Sequence, residues 1–172
     1  MSRIIVTTVK DKPQLTEQGR ELALGLGCIF VERQARSFEQ LAKEHGNIIT
    51  VIVGEKRLSA RVGENEFFFH PSMALLRLMN YFKGEKDRMA EAMNIQPGMS
   101  ILDCTLGFGT DALVASFLAG PDGRVTGLEE SPVVALLVDR GLRNYPVRVH
   151  GGLDPVKARV LIELPQAMAR IN

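Results

Sequence analysis

The chain has 172 residues, 45% hydrophobic and 24% charged, with a formal net charge of +1. That length holds one medium domain or two small ones. The composition excludes a disordered low-complexity chain, and the near-zero charge excludes nonspecific nucleic-acid binding driven by the overall field.

In chain order, residues 1–70 read as a small α/β N-terminal domain. Met1-Ser2-Arg3 opens no signal-peptide pattern. Arg3 to Val9 is a β-rich strand. Pro13 to Leu26 is a helix, with proline at a tolerated early position and Gly27 near its end. Cys28 to Val31 is a short strand. Ser37 caps a helix running to Glu44, which Gly46-Asn47 stops. Ile48 to Val53 is a buried strand. Leu58 to Val62 and Glu66 to Phe69 form a hairpin across Gly63-Glu64-Asn65.

Residues 71–98 read as a helical bridge. Met73, Leu75, Leu76, Leu78, Met79 and Phe82 make an apolar helix from Pro71-Ser72, and Asp87 to Met93 a second one beyond Gly84. Pro97-Gly98 turns the chain into the next strand. The methionines here read as core filler. Arg33, Arg36, Lys56, Arg57 and Arg61 are candidates for a local RNA-binding patch, although such charges more often form a solvated face. Cys28 and Cys104 sit in apolar runs and are expected buried and reduced, which fits a cytoplasmic protein. His45, His70 and His150 form no metal-ligand cluster. No apolar stretch is long enough to span a membrane.

Residues 99–172 carry the chemistry. An apolar run ends at Asp103, turns through Thr105-Leu106-Gly107-Phe108-Gly109, and opens at Thr110-Asp111-Ala112 into an apolar-periodic segment. A second run, Arg124 to Leu128, ends in Glu129-Glu130. Strand, glycine loop, helix, strand and acid form the layout of an adenosine-containing cofactor site on a parallel sheet. Glycines let the backbone bend and a ligand approach closely. The helix presents unpaired N–H groups, and Glu129 is placed to accept ribose hydroxyls. Gly107-x-Gly109-x-x-Ala112 also fits the dinucleotide fingerprint, so glycines alone leave NAD open. Charge discriminates. Asp103 and Asp111 flank the loop and would repel a pyrophosphate, whereas S-adenosylmethionine has no phosphate and is cationic at sulfur. The competing structural reading makes Asp103 a strand-end acid and Asp111 a helix N-cap.

The segments Leu102 to Ala112 and Leu128 to Leu142 resemble class I S-adenosylmethionine-dependent methyltransferases. Within that class they look most like the group around the bacterial small-subunit ribosomal RNA guanine-N2 methyltransferase J. The run Glu129-x-x-Pro132-Val133-Val134-Ala135-Leu136-Leu137-x-Asp139-x-Gly141-Leu142 is the specific part. Phe69-His70-Pro71-Ser72-Met73-Ala74, with Arg77-Leu78 following, is also similar to a segment ahead of that group's cofactor domain. The resemblance implies a Rossmann-like methyltransferase core of which this chain holds the first part. It implies S-adenosylmethionine as cofactor, with Thr110 and Asp111 as a contacting pair and Glu129 and Glu130 as the acidic pair after the second strand. Asp103, Thr105, Gly107 and Gly109 complete the expected cofactor set, and His70 is a candidate on the substrate side. The implied partner is RNA, with ribosomal RNA processing as the setting; a homodimer stays open, and no metal is implied.

Pro132 opens a helix over Val133 to Leu142, and Pro155 to Arg170 reads as a further one interrupted at Pro165. The family's Asp-Pro motif after the fourth strand has no match; Asp154-Pro155 lies too early and follows no apolar strand. A seven-stranded core would thus be present only in its first two strands, and truncation is the expectation, with a partner chain over the open edge as the other reading. Two rival functions stay open: an NAD-dependent oxidoreductase, and a non-catalytic adenosine-cofactor-binding or dimerisation module.

Overall fold

The computed structural model describes residues 4–46 and 49–144. Ile48, His150, Asp154-Pro155 and the helix expected from Pro155 lie outside the described residues. The chain divides into two compact units, Met1–Phe69 and His70–Asn172.

In the first unit, β1 (Ile4–Thr8), α1 (Pro13–Gly25), β2 (Ile29–Phe30), α2 (Phe38–Glu44) and β3 (Ile49–Val53) alternate, and β4 (Leu58–Val62) and β5 (Asn65–Phe68) follow as a hairpin. The sheet order is β2-β1-β3-β4-β5. The first three strands are parallel, with Ile5 beside Ile29 and Val6 beside Val51. β4 and β5 add on antiparallel. Strands buried on both faces read as continuous apolar runs, and β1 and β3 do so: Ile5, Val6, Val51, Ile52 and Val53 are buried, together with Leu15, Ala23 and Leu41 from the helices. Gly19 lets α1 sit on β2, because a Cβ there would stand 2.4 Å from the Phe30 ring. Ser37 and Gln40 form a capping box that starts α2. Val62 pairs with Asn65, so β5 begins one residue earlier than the sequence indicates and the turn narrows to Gly63-Glu64.

One connection in this unit is strained. Gln34 and Ala35, both non-glycine, have φ of 48° and 63°. The Asp11 carboxylate holds them by accepting the N–H groups of Arg33 at 3.1 Å and Gln34 at 3.0 Å.

The second unit holds α3 (Ser72–Phe82), α4 (Arg88–Met93), β6 (Ser100–Asp103), α5 (Thr110–Ala119), β7 (Arg124–Gly127) and α6 (Pro132–Asn144). β6 and β7 pair in parallel, Ile101 beside Val125 and Asp103 beside Gly127. The helix α5 joins them in the crossover such a pair requires. It is apolar on nearly all sides, with Ala112, Leu113, Val114, Ala115 and Ala119 buried, as befits a helix at the centre of its unit. Val133, Leu137, Val138 and Leu142 bury one stripe of α6. Phe82 packs edge-to-face on Phe117, linking α3 to α5.

Candidate functional site

The site forms where β6 and β7 end. Asp103 closes β6, and its Oδ1 accepts the Thr105 N–H at 3.0 Å, which turns the chain sharply. The loop then folds back onto the end of β7: Leu128 donates its N–H to the Asp103 carbonyl at 2.8 Å, and Leu106 donates to the Leu128 carbonyl at 2.9 Å. Leu106 is buried against Gly127, where a Cβ would come within 2.6 Å of it. β7 stops at Gly127, where its partner β6 ends, two residues short of the acid at which the sequence run ends.

Gly107 and Gly109 have φ of 51° and 75°, the left-handed region that glycine enters freely. Gly109 is the N-cap of α5, which places Thr110 and Asp111 in its first turn. This corrects the reading of Asp111 as a helix cap: the left-handed glycine takes that position and the aspartate lies two residues inside.

The half-buried Glu129 clamps the loop. Its Oε2 accepts the Gly107 N–H at 3.0 Å and its Oε1 accepts the Ser131 N–H at 2.8 Å. A carboxylate oxygen has two lone pairs, so each retains acceptor capacity for a ligand hydroxyl. The Ser131 hydroxyl in turn accepts the Val134 N–H at 3.3 Å and starts α6. Asp103, Thr105, Gly107, Gly109, Thr110, Asp111, Glu129 and the exposed Glu130 thus gather around the ends of two parallel strands. His70 is exposed and directly precedes Pro71, the N-cap of α3.

Two residues of this arrangement were not foreseen. Arg77 of α3 forks onto Asp87, Nε to Oδ2 at 2.8 Å and Nη2 to Oδ1 at 2.9 Å, and its Nη1 donates to Asp111. Asp87 also accepts the Ala90 N–H at 3.1 Å and so caps α4. The Arg77 hydrogen bonds hold the Asp87 carboxyl below the usual aspartate range, and those to Asp87 raise the guanidinium above its own. Arg77 and Asp111 lie 34 positions apart, and no periodicity announces their pairing. The pairing also changes the charge argument. Asp111 shares the single Arg77 charge with Asp87, so its repulsion of a pyrophosphate is reduced rather than cancelled, and Asp103, Glu129 and Glu130 add to it. Arg77 also lines a cleft of about 400 Å³ with Asn80, Tyr81 and Met89; the glycine-loop residues do not line it.

Cys104 is exposed, contrary to expectation, because it lies past β6 in the turn rather than on the sheet. Cys28 is half-buried, and that burial pushes its thiol pKa up. In the first unit most of the candidate basic patch is engaged internally. Arg36 pairs with Glu44 and Arg57 with Glu66. Arg33 bonds the Val9 and Arg36 carbonyls, and Arg33 and Arg61 both stand over the Phe38 ring. Among the described residues, no helix is long and apolar enough to cross a membrane, and no three His, Cys, Asp or Glu side chains group to hold a metal.

Residues 38–150 match the family described as "Putative SAM-dependent methyltransferase", where SAM is S-adenosylmethionine. The chain belongs to that family. It is 30% identical over 170 residues to the uncharacterized protein YpiP of Bacillus subtilis (strain 168), covering 98% of this chain and 61% of that protein. Among solved structures it overlays the SAM-dependent methyltransferase NGO1261 of Neisseria gonorrhoeae with a TM-score of 0.57 and 18% identity, over 91% of this chain and 57% of the other. TrmN of Thermus thermophilus overlays with a TM-score of 0.32 and 16% identity, over 81% and 41%. The likeness to NGO1261 establishes the α/β Rossmann-like methyltransferase fold. The chain spans about three-fifths of the length of these first two relatives.

Proposed function

We propose that this chain supplies the cofactor-binding part of an S-adenosylmethionine-dependent methyltransferase. The observation that carries the reading is the Glu129 carboxylate, clamped to the Gly107 N–H at 3.0 Å beside the glycine loop, with acceptor capacity left for a ribose. S-adenosylmethionine supplies an electrophilic methyl group on a positively charged sulfur. The residues here would hold it: Glu129 at the ribose, the left-handed glycines giving close approach, and Asp103, Thr105, Thr110, Asp111 and Glu130 around it. Rate then comes from orientation rather than from acid–base chemistry in this part of the chain. Calorimetry with S-adenosylmethionine, S-adenosylhomocysteine and NADH tests it. Binding of the first two and not the third is expected; the reverse would establish the oxidoreductase reading instead.

The finer reading is an RNA substrate, and within it the ribosomal RNA guanine-N2 methyltransferase J group, with His70 on the substrate side. It is supported by the run from Glu129 to Leu142 and by a basic cluster in the first unit. There Lys10, Lys12 and Lys56 surround Glu55, whose carboxyl is held low first by its hydrogen bond from Lys12. These lysines follow β1 and β3, the two neighbours between which the chain reverses direction across the sheet, where parallel sheets bind ligands. The exposed free thiol at Cys104 supports a reducing, cytoplasmic setting. Transfer of a labelled methyl group to small-subunit ribosomal RNA tests the substrate. Incorporation at a guanine amine is expected, and labelling of protein or small molecules alone would end the RNA reading.

A further inference from the structure

We infer that Arg77 is a positioning residue for the cofactor: it sets the Asp111 carboxylate at the mouth of the glycine loop and tunes the charge that a cationic ligand meets there. The inference rests on the proposed cofactor site.

The geometry separates two jobs within one side chain. A guanidinium has five N–H donors in a rigid plane. Two of its nitrogens, Nε and Nη2, are committed to Asp87, whose side chain is 7% exposed and which also caps α4. That fork fixes the plane of the group. The third nitrogen, Nη1, is then delivered to Asp111 in the first turn of α5. Asp87 is the anchor, Arg77 the arm, and Asp111 the positioned group.

The exposure pattern supports this division. The Asp111 side chain is 65% exposed although paired, while that of Arg77 is 24% exposed. An exposed ion pair contributes little to stability. Holding an open carboxylate in one rotamer at a helix N-terminus is of small use to the fold and of direct use to a ligand. The pairing also moderates the acid: Asp111 stays available as a hydrogen-bond acceptor through its second oxygen, while its charge is partly offset by a guanidinium it shares with Asp87. A lysine could balance the charge, but it cannot fork onto Asp87 and reach Asp111 from the same plane.

A double-mutant cycle on the full chain tests the inference, with S-adenosylmethionine affinity read by calorimetry on variants shown folded by circular dichroism. Arg77→Gln is expected to weaken binding by about tenfold in the native background, and to change it by less than about twofold in an Asp111→Ala background, a coupling of the size seen for contacting residues. Arg77→Lys is expected to fail to restore native affinity. The ratio of S-adenosylmethionine to S-adenosylhomocysteine affinity is expected to rise in Arg77→Gln, because an unbalanced Asp111 favours the cation. A purely structural role through Asp87 would lower affinity equally in both backgrounds and leave that ratio unmoved; either result overturns the inference. If the native chain binds neither compound, the cofactor reading falls and this one with it. If it binds both and the cycle is additive, only the role of Arg77 falls.

Discussion

The Glu129 carboxylate accepts the Gly107 N–H at 3.0 Å from 22 positions away, so the acid that would hold a ribose also fixes the backbone of the glycine loop. Replacing Glu129 by alanine therefore removes an acceptor and loosens the loop together. S-adenosylmethionine binding should weaken by about 1–3 kcal/mol, the size of a lost hydrogen bond to a charged group. Calorimetry checks this, and an unchanged affinity would remove Glu129 from the ribose role.

Gly127→Ala should destabilise the second unit by about 1–3 kcal/mol, the cost of overpacking. The added methyl would meet the Leu106 side chain at 2.6 Å, and Leu106 is buried beneath the loop. Urea unfolding measures the loss. In a Leu106→Ala background the same change should cost much less, because the obstacle is gone.

Acid should weaken the junction of α3 and α4. The Arg77 hydrogen bonds lower the Asp87 pKa in the folded state. The stabilisation from this pair is thus fully present above the ordinary aspartate value of about 3.9 and is lost as pH falls below it toward the lower folded value. Asp87→Asn, which keeps a capping side chain, should flatten this part of the pH profile of the urea midpoint. An identical profile in the variant would show that other carboxylates carry the acid sensitivity.

The two thiols should react at very different rates. Cys104 is exposed in the turn after β6, while burial raises the pKa of Cys28. A thiol reagent near neutral pH should give one fast phase and one slow phase, and Cys104→Ser should abolish the fast one. Loss of the slow phase instead would reverse the assignment.

Local signals made most elements legible from the sequence. Pro13 marks the start of α1, Ser37 the cap of α2, and the β-branched run before Gly54 gives β3. The glycine loop was legible because Gly107 and Gly109 are bracketed by an apolar run and an apolar helix, and the acid after the second run is unambiguous. What escaped depended on contacts between distant positions. The stop of β7 at Gly127 follows from its partner β6 ending at Asp103 and from the loop's Leu106 N–H taking the Leu128 carbonyl. The pairing of Asp111 depends on Arg77 of another helix. Cys104 looks apolar by its neighbours, yet the Asp103 side chain has already bent the chain off the sheet one residue earlier. The basic candidates Arg33, Arg36 and Arg57 are similarly indistinguishable in sequence from unpaired surface cations, although each is engaged by a carbonyl or a carboxylate.

The link between β2 and α2 has a consequence for handling the protein. Its two left-handed non-glycine residues cost conformational energy, and the Asp11 carboxylate, with the hydrogen bonds between Arg33 and Arg36, keeps the turn wound. Arg33 and Arg36 bracket that coil, so trypsin has a target on either side of it. With Asp11→Ala the coil should spring open ahead of global melting, and limited digestion should nick the chain there first. The resistance of this link to the protease would then depend on one aspartate acting together with the hydrogen bonds between Arg33 and Arg36.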